Sequence, residues 1–184
     1  MRICDDRYHR ERERHELALR LLRHEARTQT IRALTGLSDD RIRKLYRSYL
    51  GDVRRESPRH RGKSPHQIAY FTRSLRLQEE TLALATMLVL LDVIGEAGAP
   101  AAPGSAAALL RGELLCVAYE AYRLVRPAGL ISFEHAAFLA AALRRGEQLR
   151  VSWCGGCGGL IVAEPFALRV RRCQQCAGGS EARC

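Results

Sequence analysis

At 184 residues the chain has room for one ordinary domain and a small appended module, since domains commonly run about 100 to 150 residues. With 47% hydrophobic and 27% charged residues it lies in the globular range, far from the apolar-poor composition of disordered chains. The formal charge of +10 is uneven: residues 1 to 63 hold 18 Lys/Arg against 10 Asp/Glu, residues 64 to 149 hold 7 against 8, and residues 150 to 184 hold 5 against 2.

Positive ends around a neutral middle favour a polyanion, and binding one releases its counterions, so affinity should fall with salt. Nucleic acid is preferred over an anionic membrane surface, because residues 1 to 50 lack the Trp/Phe-rich apolar face that an interfacial helix buries. The start MRICDDRYHRERER offers no apolar run for a secretory signal, so a cytoplasmic protein is expected. The most apolar stretch, Leu82 to Ile94, is shorter than the about 20 residues a bilayer needs and carries Asp92, so it reads as a buried helix with no membrane role.

In chain order, residues 11 to 27 place Leu17, Leu21 and Leu22 on a helical period among alternating charges. A second helical run through Ile31 and Leu34 stops at Thr35-Gly36, where glycine supplies the freedom a helix end needs. A third begins at Ser38, an N-cap residue, with Asp39 and Asp40 in the first turn and Ile42, Leu45, Tyr46 and Tyr49 spaced three or four apart; Gly51 ends it. Residues 51 to 66, rich in Lys/Arg with two prolines, read as a basic linker. One long helix is expected from Gln67 to about Ala97, then a break over GAPAAPGS, then helices over Ala106 to Val125 and Phe133 to Leu143. After Leu149 the chain turns glycine-rich, with short strands expected over Leu160 to Ala163 and Phe166 to Val170. The fold class is therefore mostly α: a helical region over residues 1–50 with a helix-turn-helix-like segment, the linker over 51–66, a helical core and partner surface over 67–149, and a small zinc-ribbon-like module over 150–184.

The spacing Cys154-x2-Cys157-x15-Cys173-x2-Cys176 lets two CxxC knuckles bring four thiolates to one tetrahedral ion, with glycines beside the first pair easing the turn. Two disulfides are the alternative, disfavoured without an oxidising compartment, and a thioredoxin-like pair would need one CxxC at a strand-to-helix turn. Zn2+ is expected, one per chain. Four cysteines leave no open position for water, so the ion should be structural. A ribbon of about 30 residues has too little core to fold alone, so metal should decide whether residues 150 to 180 are ordered. Cys116 lies in an apolar helix and reads as a core residue, while Cys4 and Cys184 sit near the ends and take no role.

Residues 27 to 50 give helix, glycine turn, helix, the pattern of a DNA-reading pair. Ile31, Leu37, Ile42 and Leu45 fall where the helices would pack, and Arg41, Arg43, Lys44 and Arg47 are left to face outward. Arg169, Arg171 and Arg172, just ahead of the second knuckle, make the ribbon basic and join them as candidate DNA contacts. An ordinary helical hairpin with a solvated basic face is the alternative reading.

The segment LTGLSDDRIRKLYRSYLG resembles, at Leu37, Ser38, Arg41, Lys44, Leu45, Tyr46 and Arg47, a motif of the flagellar transcriptional regulator FlhC family. That family follows it with a Pro-rich linker, several helices with an A-Y-R-L run, here Ala121 to Leu124, and a late CxxC…CxxC zinc site, so the resemblance runs in order over nearly the whole chain. It implies a cytoplasmic transcription activator that assembles with a companion, FlhD, into a hetero-oligomer, a heterohexamer. Such a complex binds double-stranded DNA upstream of flagellar operons and works with RNA polymerase, its zinc ligands falling on Cys154, Cys157, Cys173 and Cys176.

A DNA-binding activator subunit is thus the leading expectation. A zinc-ribbon adaptor whose partner makes the DNA contacts is the second, favoured by the neutral Ala/Leu-rich middle. No Ser-His-Asp, P-loop or paired-carboxylate arrangement is present, so no enzyme is expected. Aromatics at 6% argue against a single-strand binder that stacks bases.

Overall fold

Serines open four of the helices of this chain. The first N–H groups of a helix have no partner within it, and a side-chain oxygen just upstream can accept one. Ser38 accepts from the Arg41 N–H, Ser74 from Leu77, Ser105 from Ala108 and Ser132 from His135. The computed structural model describes residues 2–50, 65–95, 101–165 and 172–178, without the side chains of residues 2–6, 174 and 178. Within these residues the chain is mostly α-helical, with one two-stranded hairpin and four cysteines gathered near its C-terminal end. Most of the expected basic linker and the strand expected over Phe166 to Val170 lie outside the described residues. Among the described residues no helix is long and apolar enough to cross a membrane.

The chain divides into two compact units, Met1–Pro65 with Gly98–Val117, and His66–Ala97 with Ala118–Cys184. The first holds α1 (Arg2–Arg23), α2 (Thr28–Thr35), α3 (Asp39–Tyr49) and the opening part of α5 (Ala106–Val125). Leu17, Leu21, Leu22, Ile31, Leu37 and Ile42 are buried together, each contributing roughly 1.5–3 kcal/mol by leaving water. The turn between α2 and α3 depends on Gly36, whose φ of +69° is costly for other residues; a Cβ there would lie 3.1 Å from the Cα of Gly104 and from the Pro103 carbonyl oxygen.

Helix α1 differs from its expected span, 11 to 27, at both ends. It starts earlier because its charged first half is stitched along one face by His9–Glu13 at 3.2 Å and Arg12–Glu16 at 2.7 Å, each four residues apart. It stops earlier because Glu25 takes the left-handed conformation, φ +61°, while the Ala26 N–H reaches the Leu21 carbonyl and the Glu25 N–H that of Leu22. That is the Schellman closure of a helix, here without glycine.

The second unit holds a 3-10 turn (Ile68–Phe71), α4 (Leu75–Leu90), the close of α5, α6 (Phe133–Arg145), the antiparallel pair β1 (Arg150–Trp153) and β2 (Leu160–Ala163), and α7 (Gln174–Gly178). The single helix expected from Gln67 to Ala97 is broken at its start and cut short at its end. At the start, the 3-10 turn sinks Phe71 into the core, where its ring stacks on Phe138 at 5.9 Å, and the Phe71 carbonyl accepts from the Thr81 hydroxyl. Ser74 then starts α4 afresh. At the end, Asp92 at φ +52° repeats the closure seen at Glu25, with the Val93 N–H on the Leu88 carbonyl.

Around this core β2 packs on α4 and β1 on α6, and Ile161 and Leu149 are buried. The core has one polar knot. The buried Tyr122 hydroxyl donates to a Glu80 carboxylate oxygen and accepts from the Ile131 N–H, while Tyr119 donates to the Ile131 carbonyl. Burial, and then the bond to Glu80, hold the Tyr122 hydroxyl well above the ordinary phenol range. It stays a donor at any physiological pH.

Candidate functional site

The first knuckle is the loop of the β1–β2 hairpin. Strand pairing runs from Arg150 opposite Ala163 to Trp153 opposite Leu160, which leaves residues 154 to 159 to turn the chain. The Cys154 N–H donates to the Gly159 carbonyl at 2.7 Å and the Gly158 N–H to the Cys154 carbonyl at 2.9 Å, so the loop curls back on its first cysteine. The second knuckle spans the start of α7, where the Cys176 N–H donates to Cys173 Sγ at 3.4 Å and the Ala177 N–H to the Cys173 carbonyl at 2.9 Å. The knuckles meet at Cys154 Sγ, which accepts from the N–H of Gly156 at 3.3 Å and of Cys173 at 3.1 Å.

All four Sγ atoms lie within 4.8 Å of one another, and Cys157 and Cys173 are 3.7 Å apart. A tetrahedral ion about 2.3 Å from each sulfur would need edges of about 3.8 Å, so the cluster can hold one metal ion with small closure. Gly156 leaves the space: a Cβ on it would lie 3.1 Å from both the Cβ and Sγ of Cys176. None of the four is in a disulfide.

The cluster's electrostatics match its hydrogen bonds. N–H donors from Cys173, Cys157 and Gly156 pull the Cys154 thiol down to about 6. Cys176 is pushed up to about 12, because its thiol bonds to Cys173, Cys157 and Cys154 and ionising it would set a second negative charge beside Cys154. A divalent cation at the centre would supply the charge that lets all four ionise.

The candidate DNA contacts divide. Arg41, Arg43, Lys44 and Arg47 are all exposed on α3, on the side away from buried Ile42. Arg41, however, pairs with Glu11 of α1, and Arg43 bonds Asp40 at 3.1 Å. Arg32 stays on the surface within 3.6 Å of Asp39. Lys44 and Arg47 alone of the four have no ion pair among the described residues. Arg172 is exposed next to the second knuckle, while Arg169 and Arg171 lie outside the described residues. Cys116 is fully buried in α5; the side chain of Cys4 and the whole of Cys184 are outside the described residues.

Two features escaped the sequence reading. Strand β1 falls within the ribbon stretch, but its four residues, Arg-Val-Ser-Trp, alternate polar and apolar over too short a span to stand out. The carboxylates at Glu11, Asp39 and Asp40 are partners for arginines, and for Glu11 that partner is 30 residues away, which no local pattern signals. The chain matches no protein-family model and no curated protein.

Proposed function

We propose that this chain is a zinc-stabilised, DNA-binding subunit of a transcription activator, of the FlhC kind. The observation that carries the reading is the group α1, α2 and α3: two helices around a three-residue turn, braced by a third, with Lys44 and Arg47 exposed on α3 and without an ion pair among the described residues. Phosphates need such cations, and a second helix turned outward is how a helix-turn-helix meets the major groove.

The metal is Zn2+, one per chain. An all-thiolate, tetrahedral donor set suits zinc, and it leaves no position for water, which supports a structural ion and a non-enzymatic protein. On the FlhC resemblance the chain acts in the cytoplasm, joins an FlhD-like companion in a heterohexamer, and works with RNA polymerase at flagellar operons.

The test is a gel shift on duplex DNA with Lys44→Ala/Arg47→Ala, repeated over a salt series and with the companion co-expressed. The reading expects weaker binding and a shallower salt dependence; unchanged binding removes α3 from the DNA surface. The adaptor reading has its own support in Leu124, Val125 and Leu130, which are exposed around the turn after α5 and suit a protein partner. It expects DNA crosslinks on the companion alone.

A further inference from the structure

Trp153 is the chain's single tryptophan, and it stands 68% exposed at the end of β1. Tryptophan is a costly side chain to leave in water. Its position explains the exposure: alternate residues of a strand face opposite ways, and Ile161, which is buried, pairs with Ser152. Val151 and Trp153 therefore project on the other face of the hairpin, with Val162 and Leu160 as their cross-strand partners.

The same spot is cationic. Trp153 directly precedes Cys154, Arg172 directly precedes Cys173, and the Cys173 N–H donates to Cys154 Sγ at 3.1 Å. The exposed Trp153 and Arg172 thus each precede a cysteine, and those two cysteines meet at one sulfur, Cys154 Sγ. Residues 150 to 184 carry five Lys/Arg against two Asp/Glu.

We propose that Trp153 and Arg172 together hold one nucleotide unit of duplex DNA, the indole lying on the deoxyribose edge and Arg172 pairing with the adjoining phosphate. Charge favours DNA here, since phosphate answers Arg172 while the sugar answers the ring. The role of the cysteine cluster is then to fix the distance between the two contacts. This inference rests on the duplex-DNA reading above and extends it to a second surface.

Being the only tryptophan, Trp153 reports on itself. The full chain, loaded with zinc, is titrated with a dye-labelled random-sequence duplex at low ionic strength, following indole emission and duplex anisotropy in parallel. Sequence-independent binding needs no operator, so the probe is sufficient. The expected result is indole quenching that tracks anisotropy, a loss of about tenfold in affinity for Trp153→Ala with a smaller loss for Trp153→Phe, and a log–log salt slope reduced by about one for Arg172→Ala. Zinc content is checked in each variant. If Trp153→Ala fails to retain metal, Trp153→Phe and the emission of the unaltered chain decide.

Rising anisotropy with unmoved indole emission overturns this contact and leaves DNA binding by α3 standing. No anisotropy change in the unaltered chain overturns both. Indole emission that responds to a companion protein and not to duplex makes the face a protein-docking surface and overturns the proposal.

Discussion

The helical group α1–α3 and the paired cysteine knuckles are held together by opposite means. In the first, Leu17, Leu21, Ile31, Leu37 and Ile42 lie at 2% exposure or less, and apolar burial supplies the cohesion. In the second, Cys154 is buried but Cys157 and the glycines around it are exposed, and N–H donors aimed at sulfur take the place of a core. A region built on burial needs no bound ion to keep its shape in water. One built around four sulfurs depends on what sits between them.

The largest expected break in this comparison comes from the metal. Cys157→Ser or a strong chelator should strip amide protection from residues 154 to 159 and 172 to 178, since zinc contributes about 10–16 kcal/mol in zinc-finger peptides. Residues 11 to 49 should keep theirs, which hydrogen exchange resolves segment by segment. The mirror experiment is Ile42→Ala. Loss of its buried side chain should cost about 2–5 kcal/mol in a denaturant titration of the first unit, with metal content unchanged.

Smaller effects sharpen the contrast. Glu11→Gln removes a half-buried partner of the exposed Arg41, one that also lies 3.7 Å from Arg14, so stability should change by no more than about 1 kcal/mol. The freed guanidinium should raise affinity for duplex DNA at low salt, measured by anisotropy, whereas a purely structural pair would leave it unmoved.

The last change is in pH. Zinc takes the thiolate form of each ligand, so its affinity should fall as pH drops. Cys154, pulled down to about 6 by its N–H donors, is ready to bind near neutral pH, whereas Cys176, pushed up to about 12, must give up a proton to solvent as zinc enters. A zinc titration against a competing chelator at a series of fixed pH values checks the direction.

What was legible in the sequence was what local chemistry dictates. Helix α5 falls where expected, Ala106–Val125, between a capping serine and Arg126-Pro127, and β2 matches its expected span, Leu160–Ala163. The gathering of Cys154, Cys157, Cys173 and Cys176 followed from spacing alone. The overlong helices share one cause. Glu25 and Asp92 adopt positive φ without being glycine, held there by packing of Ala26 and Val93, both buried, and no composition rule marks such a residue in advance. The same limit hid the 3-10 turn, which exists because Phe71 must reach Phe138 from a distant helix. It also hid the pairing of Arg41 with Glu11. Contacts between distant segments decide these details, and they are set only once the chain has folded.

The most direct test is the metal content of the purified full chain, by native mass spectrometry beside a count of thiols open to alkylation. The account predicts one zinc per chain, with Cys154, Cys157, Cys173 and Cys176 protected until a chelator is added. A metal-free chain whose knuckle thiols are all open, or joined in disulfides, while residues 150 to 178 remain fully ordered would contradict it.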